Sequence, residues 1–405
     1  MADTGLRILM LAPTPYFADR GCHVRIYEEA RALNSLGHDI RIVSYHLGRD
    51  MPGIPVLRIP NIPWYTKLTA GPSWHKLYLD ALLLFRAVPL LFSFRPHVIH
   101  AHLHEGAFIG WFLKQLSGVP LLLDYQGSLT DECVAHGFFR PSSLAVRLFG
   151  RIERAIDACA DRIVTSSGAG VTELVGKWGM ARERVDAVID GVDTEVFRPY
   201  PCQEGRERLA IDRDVPLVAY LGVMSRYQGT DALLDCIALL KAEGVRVHFL
   251  VMGFPSERYQ QEAEARGIAD MITFTGRIDY WDAPLLLSAA DIAVAPKLSP
   301  TEANGKIYNY MACGLPVVAF DTPVNREALG ETGIYAGYGD TRDLALKIAA
   351  LLGDPEARTS YGAQVRERAV HEHAWQARAR ALVATYRAIM RSRPPRDARS
   401  SKKKY

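Results

Sequence analysis

Residues 296–320 read PKLSPTEANGKIYNYMACGLPVVAF, and the fold is decided on this stretch. An apolar strand ends at Pro296 and a polar loop follows. A short helix is predicted from Gly305 to Cys313, with Gly314 as its C-cap, and a second apolar strand begins at Pro316. Strand, crossover helix and strand make the unit of a parallel sheet. Runs such as PVVAF do not alternate in polarity, as expected of strands covered on both faces. The loop and helix start, including Asn304 and Gly305, then fall at the carboxyl edge of the sheet. Free first-turn amides and the positive end of the helix dipole suit a phosphate or diphosphate there. Lys306 adds a full charge where a cation is slightly unfavourable to the dipole, so a bound anion explains it better. The alternative is a lysine that points into water.

The same grammar extends in both directions. On the amino-terminal side the predicted strands are RILMLA, IRIVSY, PVLRI, HVIHA, PLLLDY, RIVTS and DAVID, with a helix from His23 to Leu36 stopped by Gly37. In the carboxyl-terminal half they are PLVAYLG, VRVHFLVMG, ITFTG, IAVAP, PVVAF and GIYA. Between the halves, RPYPCQEG loses periodicity and gains two prolines, which suits a linker. A chain of 405 residues exceeds one hydrophobic core. The expected organisation is therefore α/β: one domain over 1–198, a linker at 199–205, a second domain over 206–374, a last helix over 375–390 and a tail over 391–405. Two facing open sheets imply a ligand held between them. Whether the last helix docks back across the linker is left open by the sequence.

Composition narrows the class. Apolar residues at 49% and charged residues at 23% exclude a disordered or collagen-like chain. The formal charge is +3, but the last fifteen residues hold seven Lys/Arg against Asp397 alone, so the rest of the chain is slightly acidic. A nucleic-acid partner is disfavoured, because its positive charge belongs on the folded surface. Six scattered cysteines with no CxxC pair and no secretory start point to a reducing cytoplasm. The apolar run 77–94 is broken by Asp80, Arg86 and Pro89, which argues against a spanning helix. Neither GxGxxG after the first strand nor a GxxxxGKS/T loop is present, disfavouring ordinary dinucleotide binding and ATP hydrolysis.

Taken together, several segments resemble the retaining nucleotide-sugar glycosyltransferases of the GT-B fold, family 4, over almost the whole chain. The segments are the first strand, loop with Gly21 and helix closed by LGHDI, then HVIHAH, RIERAIDACADRIVTSS, VIDGVDTEVFRP, YLGVMSRYQGTDALL and NYMACGLPVVAFD, in that order. The resemblance implies two facing Rossmann-like domains and transfer of a sugar from a nucleotide-diphosphate donor to a hydroxyl of a glycan or lipid-linked acceptor. It implies no metal and no cofactor beyond the donor. It places the donor in the second domain, with Lys306 on the diphosphate, Asn309 on the ribose and Glu302 near the donor sugar. Gly21 and Gly222 let backbone approach the phosphates, and Gln126 and His102 lie towards the acceptor.

This chain departs from the family pattern at charged positions. Val223 and Gln228 stand where an arginine and a lysine usually neutralise the diphosphate; Arg226 is the nearest charge, either a replacement or an exposed turn residue. Asn309 replaces a glutamate, and Glu302 sits one place too close to it. Gln126, in DYQGS, replaces a histidine and can orient a hydroxyl but not act as a base. Two alternatives stay open: a nucleotide-sugar epimerase of similar two-domain architecture, which needs no acceptor, and a non-catalytic glycan-assembly subunit, which these losses of charge suggest. His100, His102 and His104 in HAHLH fit a histidine lining the cleft better than a metal site. Asp212 and Asp214 read as a solvated turn. The aromatic segment 64–85 either packs in the domain or dips into lipid headgroups; the basic tail favours peripheral association with the acidic inner face of the plasma membrane.

Overall fold

Every predicted strand has a counterpart in the computed structural model, which describes residues 5–18, 21–68, 73–135 and 138–391, whereas the apolar run 77–94 forms a helix. The first sheet comprises β1 (Arg7–Ala12), β2 (Asp39–Ser44), β3 (Val56–Arg58), β4 (Val98–His102), β5 (Leu121–Tyr125), β6 (Arg162–Thr165) and β7 (Val185–Ala187). The second comprises β8 (Leu217–Leu221), β9 (His248–Met252), β10 (Ile272–Phe274), β11 (Ile292–Ala295), β12 (Val317–Phe320) and β13 (Ile334–Ala336). Their orders are β3-β2-β1-β4-β5-β6-β7 and β10-β9-β8-β11-β12-β13, with parallel pairing throughout. Both are doubly wound sheets.

Helices of the first domain are α1 (Gly21–Ser35), α2 (Lys76–Phe94), α3 (Leu103–Ser117), α4 (Leu129–Ala135), α5 (Leu144–Ala158) and α6 (Gly168–Gly176). Those that follow are α7 (Cys202–Leu209), α8 (Thr230–Ala242), α9 (Glu257–Ala265), α10 (Ala283–Leu287), α11 (Lys306–Ala312), α12 (Pro323–Leu329), α13 (Thr341–Leu352), α14 (Pro355–Glu372) and α15 (Trp375–Arg391). One face of the first sheet packs Leu9, Leu11, Ile99 and Leu121 against Leu79 and Leu83 of α2 and Leu113 of α3. The other packs Ile8 and Met10 against Ile26, Ala30 and Leu33 of α1. In the second domain, Val218, Phe249 and Val294 meet Leu233 and Ile237 of α8 and Leu344 and Ile348 of α13.

Helix α15 lies on α1, and its Tyr386 hydroxyl is hydrogen-bonded to His100 Nδ1 at 2.8 Å, so the chain returns to its first domain. Arg366 of α14 ties the crossing together by donating to the carbonyls of Phe197 at 2.9 Å and Ala312 at 2.7 Å. The stretch 199–205 is not wholly irregular, because α7 begins at Cys202. The helix escapes an apolar-periodicity search because its buried face is Gly205 and Arg206. The Arg206 guanidinium donates to the carbonyls of Ala289, Asp212 and Val215 and pairs with Asp291 at 2.9 Å. Asp212 and Asp214 sit in the exposed turn that follows. Only Arg391 of the basic tail falls within the described residues.

Candidate active site

In an open parallel sheet the crevice forms where the strand order reverses. That point lies between β8 and β11 in one domain and between β1 and β4 in the other. Gly229 brings the loops after β8 and β11 together: its φ is +78°, and a Cβ there would collide with the Pro296 carbonyl.

Lys306 opens α11 with its amine 4.2 Å from the centroid of the Tyr220 ring and 3.3 Å from Gln228 Oε1. Lys297, two residues past β11 and buried, pairs with Glu302 Oε2 at 3.1 Å and donates to the Ala303 carbonyl at 2.8 Å. The Tyr227 hydroxyl donates to the same Glu302 oxygen at 2.5 Å. Burial, reinforced by the Lys297 ammonium, holds the Lys306 amine well below the usual lysine range; Glu302 pulls the other way. An anion placed here would remove that penalty by restoring the charged form. Asn309, half-buried, lies one turn along on the same helix face as Lys306. The helix amides contribute less than the sequence implies. Those of Ile307 and Tyr308 turn back onto the carbonyls of Asn304 and Gly305, and Asn304 is buried, its side-chain amide donating to Asn325 Oδ1 at 3.2 Å.

Gly222 has φ +137°, and a Cβ there would stand 3.2 Å from both Cε and Nζ of Lys306. Gly222→Ala is therefore expected to strain the turn by about 1–3 kcal/mol and to displace the amine. Titration with nucleoside diphosphates should show affinity reduced by about tenfold or more; parental affinity would mean that the amine does not meet the ligand.

Opposite, Asp124 ends β5 as the acceptor of a buried network. Arg25 of α1 donates to its two oxygens through Nε and Nη2, both at 3.0 Å. Burial alone would raise this carboxyl, but Arg25 and His102 outweigh it and hold Asp124 well below the usual carboxylate range. Ionised Asp124 fixes the His102 tautomer: Nδ1 donates to it at 3.0 Å. Gln126 donates its amide nitrogen to Asp124 at 2.7 Å, leaving its side-chain carbonyl as the end able to meet a hydroxyl. Arg25 also pairs with Glu29 at 3.0 Å and Asp190 at 2.5 Å.

Asp190 closes the gap between domains, since its Oδ2 would lie 3.4 Å from a Cβ on Gly305. Ser167 Oγ donates to the Thr301 carbonyl at 2.5 Å, and the Gly168 amide donates to both oxygens of Glu327, at 3.0 and 2.9 Å. The loop after β11 is thus held against the first domain beside the Arg25 network.

The structure brings Gly222, Gln228 and Glu302 close to Lys306, with Gly305 just before it and Asn309 one turn along the same helix; Gln126 connects to Gly305 through the Asp124–Arg25–Asp190 chain. Two expectations need correction. Arg226 is exposed and lines an outer groove with Asp231, Arg258 and Glu262 of α8 and α9, because the turn directs it away from Lys306. His102 is fully buried and acts on Gln126 only through Asp124. Gly21 is exposed with open space around it. Arg25, Asp190 and Lys297 are functional candidates that sequence reasoning missed. Their available signals were the Arg25/Glu29 i,i+4 pair beside the apolar Ile26 and Ala30, and a lysine directly after a wholly apolar strand.

The three histidines of HAHLH separate. The His100 and His102 rings lie side by side, tilted by 31° with centroids 4.4 Å apart. His104 turns to Glu153 and Asp157, at 3.2 and 3.3 Å, and is raised to about 9 because those carboxylates overcome the opposing effect of burial. Among the described residues, both groups bring metal-ligand atoms close together. In the first, the Arg25 guanidinium already supplies the cation.

Two facing doubly wound domains thus hold a pair of lysines at one switch point. The family description "Glycosyl transferase 4-like domain" matches residues 20–191, and "Glycosyl transferases group 1" matches residues 215–354. D-inositol 3-phosphate glycosyltransferase 2 of Catenulispora acidiphila is 30% identical over 390 residues, covering 90% of this chain and 89% of the relative. The D-inositol 3-phosphate glycosyltransferase of Thermobispora bispora is 28% identical over 393 residues, with 90% and 89% covered. Among solved structures, sucrose-phosphate synthase from Thermosynechococcus elongatus superposes with a TM-score of 0.78 at 21% identity, covering 96% of this chain and 100% of that one. Anabaena HepE in complex with UDP and glucose gives 0.76 at 18%, covering 94% and 99%. This chain belongs to glycosyltransferase family 4 and is a glycosyltransferase of the GT-B type.

Proposed function

We propose that the cleft moves a sugar from a nucleotide-diphosphate sugar to a hydroxyl of a growing glycan or lipid-linked acceptor, with retention of configuration, in the assembly of a cell-surface polysaccharide or glycolipid. The observation that carries this reading is the convergence of Lys306, Lys297 and Glu302 on a switch point that faces Gln126. Lys306 takes up the diphosphate charge and regains its own proton in doing so. The bond from the anomeric carbon to the diphosphate oxygen breaks, the bond to the acceptor oxygen forms, and the acceptor proton passes to the leaving diphosphate. Gln126, pinned by Asp124, accepts a hydrogen bond from the acceptor hydroxyl and orients it. Catalysis rests on positioning and on charge stabilisation at the leaving group. Complexes of Anabaena HepE with UDP-glucose support the donor class. The names of the inositol 3-phosphate glycosyltransferases favour a second acceptor class, a phosphorylated polyol. Six free thiols support a reducing, cytoplasmic setting.

The test is a thermal-melt panel of nucleotide-diphosphate sugars, followed by product analysis with glycan, lipid-linked and phosphorylated-polyol acceptors. A cognate donor at a hundred times its Kd stabilises by about 2.7 kcal/mol, a shift of several degrees. No shift with any donor would sink the donor assignment, and transfer only to a phosphorylated polyol would replace the glycan or lipid-linked acceptor.

A further inference from the structure

We infer that the outer surface of α2, α3 and α5 docks onto an anionic lipid bilayer. The three helices lie side by side on one face of the first sheet, α2 against α3 and α3 against α5. Each buries one side and exposes an apolar stripe on the other. On α3 the stripe is Phe108, Phe112 and Leu116; on α5 it is Leu144, Leu148 and Ile152, both at i, i+4, i+8 spacing. Helix α2 adds Leu77, Phe85 and Phe92, and Trp74 stands exposed just before it. Most of the large apolar side chains exposed on the described residues fall between Trp64 and Ile152, whereas monomeric soluble domains seldom gather so many on one face.

Charge selects the occupant. Arg86, Arg147, Arg151 and Arg154 are exposed on these helices. None of the helices' carboxylates is exposed. Asp80 accepts from the Tyr45 hydroxyl at 2.5 Å, Glu105 pairs with Lys76 at 2.5 Å, and Glu153 and Asp157 are buried beneath α5. An apolar face whose own helices expose arginines and no carboxylate matches acyl chains beneath anionic headgroups, and the exposed Asp131 of the neighbouring α4 is paired with Lys177 at 3.5 Å. A second copy of the chain would set these arginines against their own counterparts in a self-complementary interface. The basic 391–405 segment would be repelled in the same way. Helix α2 is long and apolar enough to cross a membrane, but its Leu79, Leu83, Ala87 and Leu91 are committed to the domain core, so it lies along the surface. This inference is independent of which donor the cleft accepts.

The test is flotation of the full-length protein with phosphatidylcholine vesicles and with vesicles that also contain phosphatidylglycerol. Binding to the anionic vesicles only, weakened by salt, is expected. Leu148→Glu with Ile152→Glu, and separately Arg147→Glu with Arg151→Glu, should each lower that binding by about tenfold or more, with thermal midpoints equal to the parent's because all four side chains are exposed. A chain ending at Arg391 should keep most of the binding. The inference is overturned by parental binding in both double variants, equal binding to neutral vesicles, loss of binding on truncation alone, or sedimentation showing a dimer that the substitutions dissociate.

Discussion

Arg25→Leu is expected to lower the unfolding free energy by about 3–5 kcal/mol, because it removes one partner of a buried ion-pair network and leaves the others uncompensated. Arg25 is 4% exposed and holds Asp124, Glu29 and Asp190. Burial pushes the Glu29 carboxyl well above its usual range despite Arg25, so Asp124 carries the main buried negative charge. Without the guanidinium, desolvation would push Asp124 upward instead. The folded variant would then hold a proton at pH values where the unfolded chain has lost it. Its stability should therefore fall as pH rises from the ordinary carboxylate range through the raised value. Denaturant melts at acidic and neutral pH check both parts. The deficit should be largest at neutral pH, with a midpoint lowered on the order of 10 °C, and Arg25→Lys should recover part of it. A cost below about 1 kcal/mol, the range of an exposed pair, would mean that the network is far more hydrated than its burial indicates.

The fold was legible because buried parallel strands write themselves as unbroken apolar runs, and each run read as a strand has its counterpart in the fold. Legibility failed where side chains behave unlike their class. Helix α7 buries an arginine instead of a hydrophobe, so no period appears. Arg25 looks like a surface residue because its partners Asp124 and Asp190 come from β5 and from beyond β7. Only the topology brings the three together. The donor side shows the same limit. Arg226 was attractive as the charge nearest to Val223 and Gln228, but the turn sends it outward. The second lysine near Lys306 is Lys297, just past the neighbouring strand β11, at a position that carries no motif. Lys306 and Asn309 could be placed in advance because one short helix fixes both.

Lys306→Met is expected to separate stability from function. Folding holds the Lys306 amine well below the usual lysine range, with burial as the leading cause. Between that lowered value and the unfolded value near 10.4, the unfolded chain binds more protons than the folded one, so the parent gains stability as pH rises through that window. Methionine abolishes this dependence and relieves the penalty. The empty variant should be as stable as the parent or up to about 1 kcal/mol more so at neutral pH. Affinity for a nucleotide-diphosphate sugar should nevertheless fall by about 10- to 100-fold, the scale of one charge-assisted hydrogen bond. Binding to the parent should take up protons, because a diphosphate raises the amine's pKa. Affinity should therefore be full below the empty-state pKa and decline as pH rises through it. Calorimetry in buffers of differing ionisation enthalpy measures that uptake directly. A lysine that only supports the fold would give the opposite pattern, a variant that melts earlier and binds donor as the parent does. Function would then have to rest on Lys297, whose amine is already engaged by Glu302 and the Ala303 carbonyl.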